Sequence, residues 1–204
     1  MDQARQLIRD IGELFKQHLL VNGVQERTIR RMTTKFRDAG RRSPPWMQGS
    51  AMGARSPQTG ADGNRQNRWL FPANHPFYAD EKTATLTEVK YYLQTLSMQD
   101  APSLPTAQLQ NRFSQLLGHE LAPGKFLDPL QKIPVSFAKF SQDLRYVESG
   151  HLVPLSRGGK HTPENSTLML KDSNRLQGDF TVDEVVQLMK NTLEKHGFTV
   201  EGNP

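Results

Sequence analysis

Residues 145–180 read RYVESGHLVPLSRGGKHTPENSTLMLKDSNRLQGDF. Within them Glu148, His151, Asn165, Asn174 and Arg175 combine a base, oxygen donors and a cation. An imidazole titrates near neutral pH, so His151 can take a proton from water. A hard cation such as Mg²⁺ prefers oxygen ligands and keeps several waters, and the Asn174 amide and the Glu148 carboxylate offer such oxygens. Arg175, Arg157 and Lys160 are cations that would hold a phosphate or steady a leaving group. An activated water, a neutralised phosphate and a stabilised leaving oxygen are what phosphodiester hydrolysis needs.

These residues require a small scaffold. Tyr146-Val147 read as the end of a short strand. Pro154 to Pro163 is a loop carrying Gly158-Gly159, and Ser166–Leu170 reads as a second strand. Asp172 or Ser173 would cap a helix beginning near Asn174. A His where the first strand ends and an Asn where the helix starts make a compact metal-site scaffold. Thr181-x-x-Glu184 is a capping box that opens a further helix to about His196, with Val185, Leu188, Met189 and Leu193 facing a core and Gly197 as the stop.

Gly150-His151-Leu152-Val153-Pro154, Gly158-Gly159, Asn165, Ser173-Asn174-Arg175 and Gly178-Asp179 together resemble the HNH, or ββα-metal, nuclease motif. The resemblance covers about 35 of the 204 residues. It implies that His151 is the general base, that Asn165 braces the loop through backbone hydrogen bonds, and that Asn174 is a metal ligand. Gly150 stands where many members carry a metal-binding side chain, and Gly178 where many carry a His. Glu148-Ser149-Gly150-His151 is also similar to the D-R-G-H box of the DNA/RNA non-specific nucleases, which keeps Glu148 as a metal ligand or as a residue positioning metal-bound water. The cysteines that hold zinc in many HNH proteins are absent, and no zinc is expected. His161 reads as a solvent-facing loop residue. His75, His119 and His196 carry no matching context.

The rest of the chain supplies scaffold and charge. Residues 2–20 form an amphipathic pattern through Leu7, Ile8, Ile11, Leu14 and Phe15. A second helix is predicted over 24–37, with Ile29, Met32 and Phe36 on one face and Arg27, Arg30, Arg31 and Lys35 on the other, suited to a phosphate backbone. Residues 38–68 are rich in Gly, Pro, Ser, Arg and Gln and read as a linker or DNA-ordering loop, with Trp46 and Met47 as a docking point. Further helices are predicted over 83–98 (Leu86, Val89, Leu93, Leu96), over 107–118 after a Thr106 cap, and over 135–145 (Phe137, Phe140, Leu144). The organisation is therefore a basic helical region over 1–37, a flexible stretch over 38–68, a helical scaffold over 69–132 and a ββα-metal unit over 133–204. The fold class is α+β, mainly helical.

Composition excludes other classes. There are no cysteines, so disulfides, thiol nucleophiles and iron–sulfur clusters are out. No apolar run is long enough to span a membrane and residues 1–15 show no apolar leader, so a cytoplasmic protein is the expectation. The net charge is +5, and residues 1–70 hold 13 Lys/Arg against 6 Asp/Glu. A basic end of this kind attracts a polyanion. With the resemblance, the expected protein is a Mg²⁺-dependent endonuclease acting on double-stranded DNA, with Mn²⁺ as a substitute and a 5′ phosphate as product. Its size and long non-family N-terminal half are similar to compact type II restriction endonucleases. A palindrome-cutting enzyme would need a symmetric dimer, and the stripe of the first helix serves either that interface or packing inside one chain. Two alternatives stand beside this reading: a catalytically degenerate DNA-binding module, and a sugar-non-specific DNA/RNA nuclease.

Overall fold

The computed structural model describes residues 2–45, 65–104 and 113–201. Trp46, Met47 and the Thr106 cap lie outside them. Two long helices open the chain, α1 (Asp2–Val21) and α2 (Glu26–Gly40), followed by α3 (Glu81–Leu96). Two short helices come next, α4 (Ser114–Leu117) and α5 (Phe137–Gln142). The strands β1 (Val147–His151) and β2 (Ser166–Leu170) then lead into α6 (Lys171–Gln177) and α7 (Val182–Lys195). The described structure is mainly helical with one two-stranded antiparallel sheet, an α+β arrangement.

Sequence periodicity accounts for α1 and α2. Ile8, Ile11, Phe15 and Leu19 recur along one face of α1 and are buried, as are Ile29, Met32 and Phe36 of α2. The α1 stripe is thus spent on packing inside the chain. Arg27, Arg30 and Arg31 remain exposed on the far face of α2.

Helix α3 buries far more than Val89, Leu93 and Leu96 of the stripe that marks it in the sequence: it is buried nearly all round. It lies at the centre, with α1, α2 and β2 against it. Most of its buried polar side chains are partnered, the Tyr91 hydroxyl being an exception among the described residues. Thr87 Oγ1 donates to Thr83 O at 3.0 Å, and Gln94 Nε2 donates to Thr167 Oγ1 at 2.9 Å. Gln94 Oε1 accepts from Leu168 N at 3.0 Å, and Glu88 pairs with Arg41. A buried polar group without a partner costs about 1–3 kcal/mol, so these pairs are conditions of centrality. Asp80 caps α3 through Thr83 N at 3.0 Å. The largest core gathers Phe15, Phe36, Tyr91, Tyr92 and Phe140 and extends to Val147, Leu168 and Leu170 of the sheet. The N-terminal helices and the strands thus share one core.

Three expectations are corrected. Val147 begins β1 rather than ending it, so His151 is the strand's last residue. Helix α6 starts at Lys171, with Leu170 at its N-cap position and no side-chain cap, so Asp172 and Ser173 lie inside its first turn. Helix α7 keeps both bonds of the Thr181–Glu184 capping box, but of its four expected core residues only Val185 is buried. Leu188, Met189 and Leu193 are exposed because among the described residues no element covers that face. No described helix is long and apolar enough to cross a membrane.

Candidate active site

The strands pair from Val147↔Leu170 to His151↔Ser166, and α6 follows β2 without a linker. His151 and Asn174 are thereby brought to one end of the sheet. The loop between the strands is held by Asn165. Its Oδ1 accepts from Val153 N at 2.8 Å, and its Nδ2 donates to Val153 O and Lys160 O, both at 2.9 Å. Gly159 packs so closely on the Val153 carbonyl that any Cβ would collide with it.

Helix α6 is set by a residue from outside the motif. Asp128, fully buried, accepts from Leu170 N at 2.8 Å and from Ser173 Oγ at 2.8 Å. It also accepts from Leu130 N and Gln131 N. At the other end Gln177 Nε2 donates to His151 O at 2.8 Å and to Leu152 O at 3.2 Å. The turn carrying Asn174 is clamped at both ends.

Asn174 Nδ2 donates to Glu148 Oε2 at 2.8 Å. A carboxylate only accepts, so this bond fixes the amide orientation and turns Oδ1 away from Glu148. That oxygen lies over Gly150, where an added Cβ would stand 2.8 Å from it and 2.5 Å from Met169 Sδ. Gly150 is thus the space that Asn174 occupies.

His151 Nε2 lies 3.0 Å from His161 Nδ1, and His161 Nε2 lies 2.7 Å from the carbonyl of Gly40, the last residue of α2. His161, expected in solvent, is 1 % exposed. Burial first, and the charge of Arg68 second, hold the His151 ring down at about 4. The same causes, with His151 itself added, hold His161 well below the usual range. Both rings are neutral at pH 7.

Arg68 is 3 % exposed and donates to the carbonyls of Gly40, Phe77 and Ala39 at 3.2–3.3 Å. No carboxylate forms an ion pair with it among the described residues. Burial lowers its pKa to about 10, so it stays charged at neutral pH. Its position could not be read from the sequence, where it is one arginine in a polar stretch.

Glu148, Gly150, His151, Asn174 and Gln177, together with Lys35 and Arg68, line an open cleft of about 550 Å³. Burial lowers the Lys35 pKa, against the pull of Glu148 and Asp143. Lys35 therefore joins the site instead of standing only on the basic face. Arg30, Arg31 and Arg145 surround a shallow groove that also reaches Lys35. Pro44, Pro45 and Arg65 line the cleft as well, and an Arg42↔Asn67 bridge holds the two flanks of residues 46–64 together.

Three cations expected at the phosphate are not brought to the cleft in that role. Arg175 is exposed on α6 and absent from the lining, because the turn that aims Asn174 inward aims its neighbour outward. Arg157 is paired with Glu184. Lys160 is exposed, and its contribution is the carbonyl bound by Asn165.

Among the described residues no three His, Cys, Asp or Glu side chains are gathered as a metal cluster. The donors present are Asn174 Oδ1, which makes no hydrogen bond among the described residues, and the Glu148 carboxylate. Two protein oxygens at an open cleft fit a hard cation that retains water, and they do not fit zinc.

No family model matches the chain, and no curated protein matches it. A solved structure described as "Crystal structure of a type II restriction endonuclease" is similar in fold. It has a TM-score of 0.50 and 20% identity, covering 65% of this chain and 62% of that one. The chain thus matches about three-fifths of that structure's length. The two share a fold.

Proposed function

We propose that the protein is a metal-dependent endonuclease of the HNH, ββα-metal type that hydrolyses double-stranded DNA. The observation that carries the proposal is the convergence in one cleft of a neutral imidazole (His151), an oriented pair of oxygen donors (Asn174 and Glu148) and an arginine (Arg68) with no carboxylate partner among the described residues. The shared fold with a type II restriction endonuclease supports a restriction-type role as the finer placement.

His151 accepts a proton from the attacking water as the water oxygen bonds to phosphorus. The P–O3′ bond breaks, and the departing 3′ oxygen takes a proton from solvent, leaving a 5′ phosphate. Arg68 and Lys35 offset the charge on the non-bridging oxygens. Asn174 and Glu148 would hold Mg²⁺, with Mn²⁺ as a substitute. The bound ion supplies Lewis-acid stabilisation of the phosphate and leaving oxygen. Gln177 and Asn165 keep the His151 backbone and its loop in place. The face bearing Arg27, Arg30 and Arg31 receives the flanking DNA backbone.

The degenerate-module alternative rests on Gly150 and Gly178 standing at ligand positions. The place of Gly150 has another cause, the packing of Asn174 Oδ1 against it. Plasmid cleavage with Mg²⁺ or Mn²⁺, with EDTA, and beside His151→Ala tests the proposal. Metal-dependent fragments absent in the variant are expected. Discrete fragments indicate a sequence-specific enzyme and a smear a non-specific one. DNA retardation without cleavage on any substrate would sink the nuclease reading. Competition by RNA separates the sugar-non-specific alternative.

A further inference from the structure

Gly40 O is only an acceptor, so the His161 Nε2 atom 2.7 Å from it carries a proton. The His161 ring is 1 % exposed, hydrogen-bonds no carboxylate and lies near the charged Arg68. A second proton would place a bare cation in that setting. His161 Nδ1 is therefore a lone pair. It faces His151 Nε2 at 3.0 Å, closer than Ser166 Oγ at 3.4 Å, and two bare nitrogens would repel at that distance. The proton between the rings consequently belongs to His151 Nε2. In a neutral imidazole the other nitrogen is then bare. His151 Nδ1 has no hydrogen-bond partner among the described residues, is not sealed from solvent, and belongs to a residue lining the cleft.

We infer that His161 is a positioning residue, which with the Gly40 carbonyl locks His151 in the tautomer whose Nδ1 lone pair opens to the cleft. The inference rests on the nuclease reading for its consequence and not for its geometry. Neither residue of this relay belongs to β1, β2 or α6. The carbonyl is the end of α2, placed where a Cβ on Gly40 would stand 2.7 Å from the Glu88 Cα. Arg68 Nε donates to the same carbonyl at 3.2 Å and holds it in place. The N-terminal helices thereby act on the base through two hydrogen bonds, which charge attraction for DNA alone would not require.

The test is ring ¹⁵N NMR of the full chain labelled at histidine, at pH 7.5 without metal or DNA, with cleavage kinetics alongside. The expected wild-type result is a protonated Nε2 and a bare Nδ1 on His151. His161→Phe keeps an aromatic ring and removes the acceptor. It is expected to give mixed tautomers and a kcat about 10- to 100-fold lower, with KM changed less. His161→Asn restores an acceptor oxygen and should recover part of both, and it covers the case in which His161→Phe does not fold. A wild-type His151 protonated on Nδ1, or already mixed, overturns the inference whatever the activity. So does a folded His161→Phe with an unchanged tautomer. If the tautomer behaves as expected while no DNA is cut, the relay stands and the nuclease reading falls.

Discussion

Asn174 Oδ1 sits where a side chain at position 150 would begin: a Cβ on Gly150 would lie 2.8 Å from it. A glycine that looks like a lost ligand is instead the space into which Asn174, the ligand we propose, packs from the helix. The backbone approach is what only glycine permits.

Gly150→Ala should therefore damage the site more than the fold. Overpacking costs about 1–3 kcal/mol, and here relief comes from displacing Asn174 or Met169. We expect a modestly lower Tm and a rise in the Mg²⁺ concentration needed for half-maximal cleavage. Unchanged metal dependence would show that Asn174 does not serve the ion.

Asn174→Ala removes an oxygen donor and leaves Glu148 without its amide partner. Cleavage is expected to fall by more than about 100-fold, and by about 10- to 100-fold in Glu148→Gln, which loses the carboxylate charge and weakens the hold on the amide. A Glu148→Gln variant with an unchanged Mg²⁺ dependence would take Glu148 off the metal.

Stability should fall on the acid side. His151 and His161 have folded pKa values below the ordinary imidazole value, His151 at about 4. Between pH 6.5 and 4 the unfolded chain takes up protons that the folded chain refuses. Their contribution is fully present above pH 6.5 and is lost as pH falls, at up to about 1.4 kcal/mol per pH unit per ring. Urea unfolding of wild type and His161→Asn from pH 4.5 to 7.5 should show a shallower slope in the variant. Parallel curves would contradict a buried neutral His161.

Arg68→Lys keeps a charge but cannot reach three carbonyls in a planar fork. We expect a folded protein with lower Tm and cleavage reduced by about tenfold or more. Wild-type kinetics would remove Arg68 from the phosphate site.

Arg30→Ala with Arg31→Ala should weaken DNA binding through the exposed face of α2. Every phosphate that is no longer neutralised reduces the steepness of log K against log salt by about 0.9. Binding measured from 50 to 200 mM salt should flatten accordingly. An unaltered slope would take this face off the DNA.

Much of the scaffold was legible because its signals are local. The stripes of α1 and α2, the Thr181–Glu184 box, the β2 strand and the Gly158-Gly159 turn lie in contiguous residues, where side-chain period and backbone hydrogen bonding act over a few positions. Misreadings cluster where burial decides. Helix α3 shows only a stripe in sequence and is buried nearly all round, and α7 looks covered and is not.

The sequence by itself determined that His151, Glu148 and Asn174 lie on neighbouring short elements, since ββα connections leave them little other room. Only the tertiary structure decided what surrounds them. Tertiary packing brought Lys35 and Arg68 into the cleft lining, buried His161 between His151 and the Gly40 carbonyl at the end of α2, and left Arg175 facing outward. Those relationships join residues up to 121 positions apart. No local propensity encodes such a pairing; it is chosen by the burial of the aromatic core and by the hydrogen bonds that burial makes obligatory.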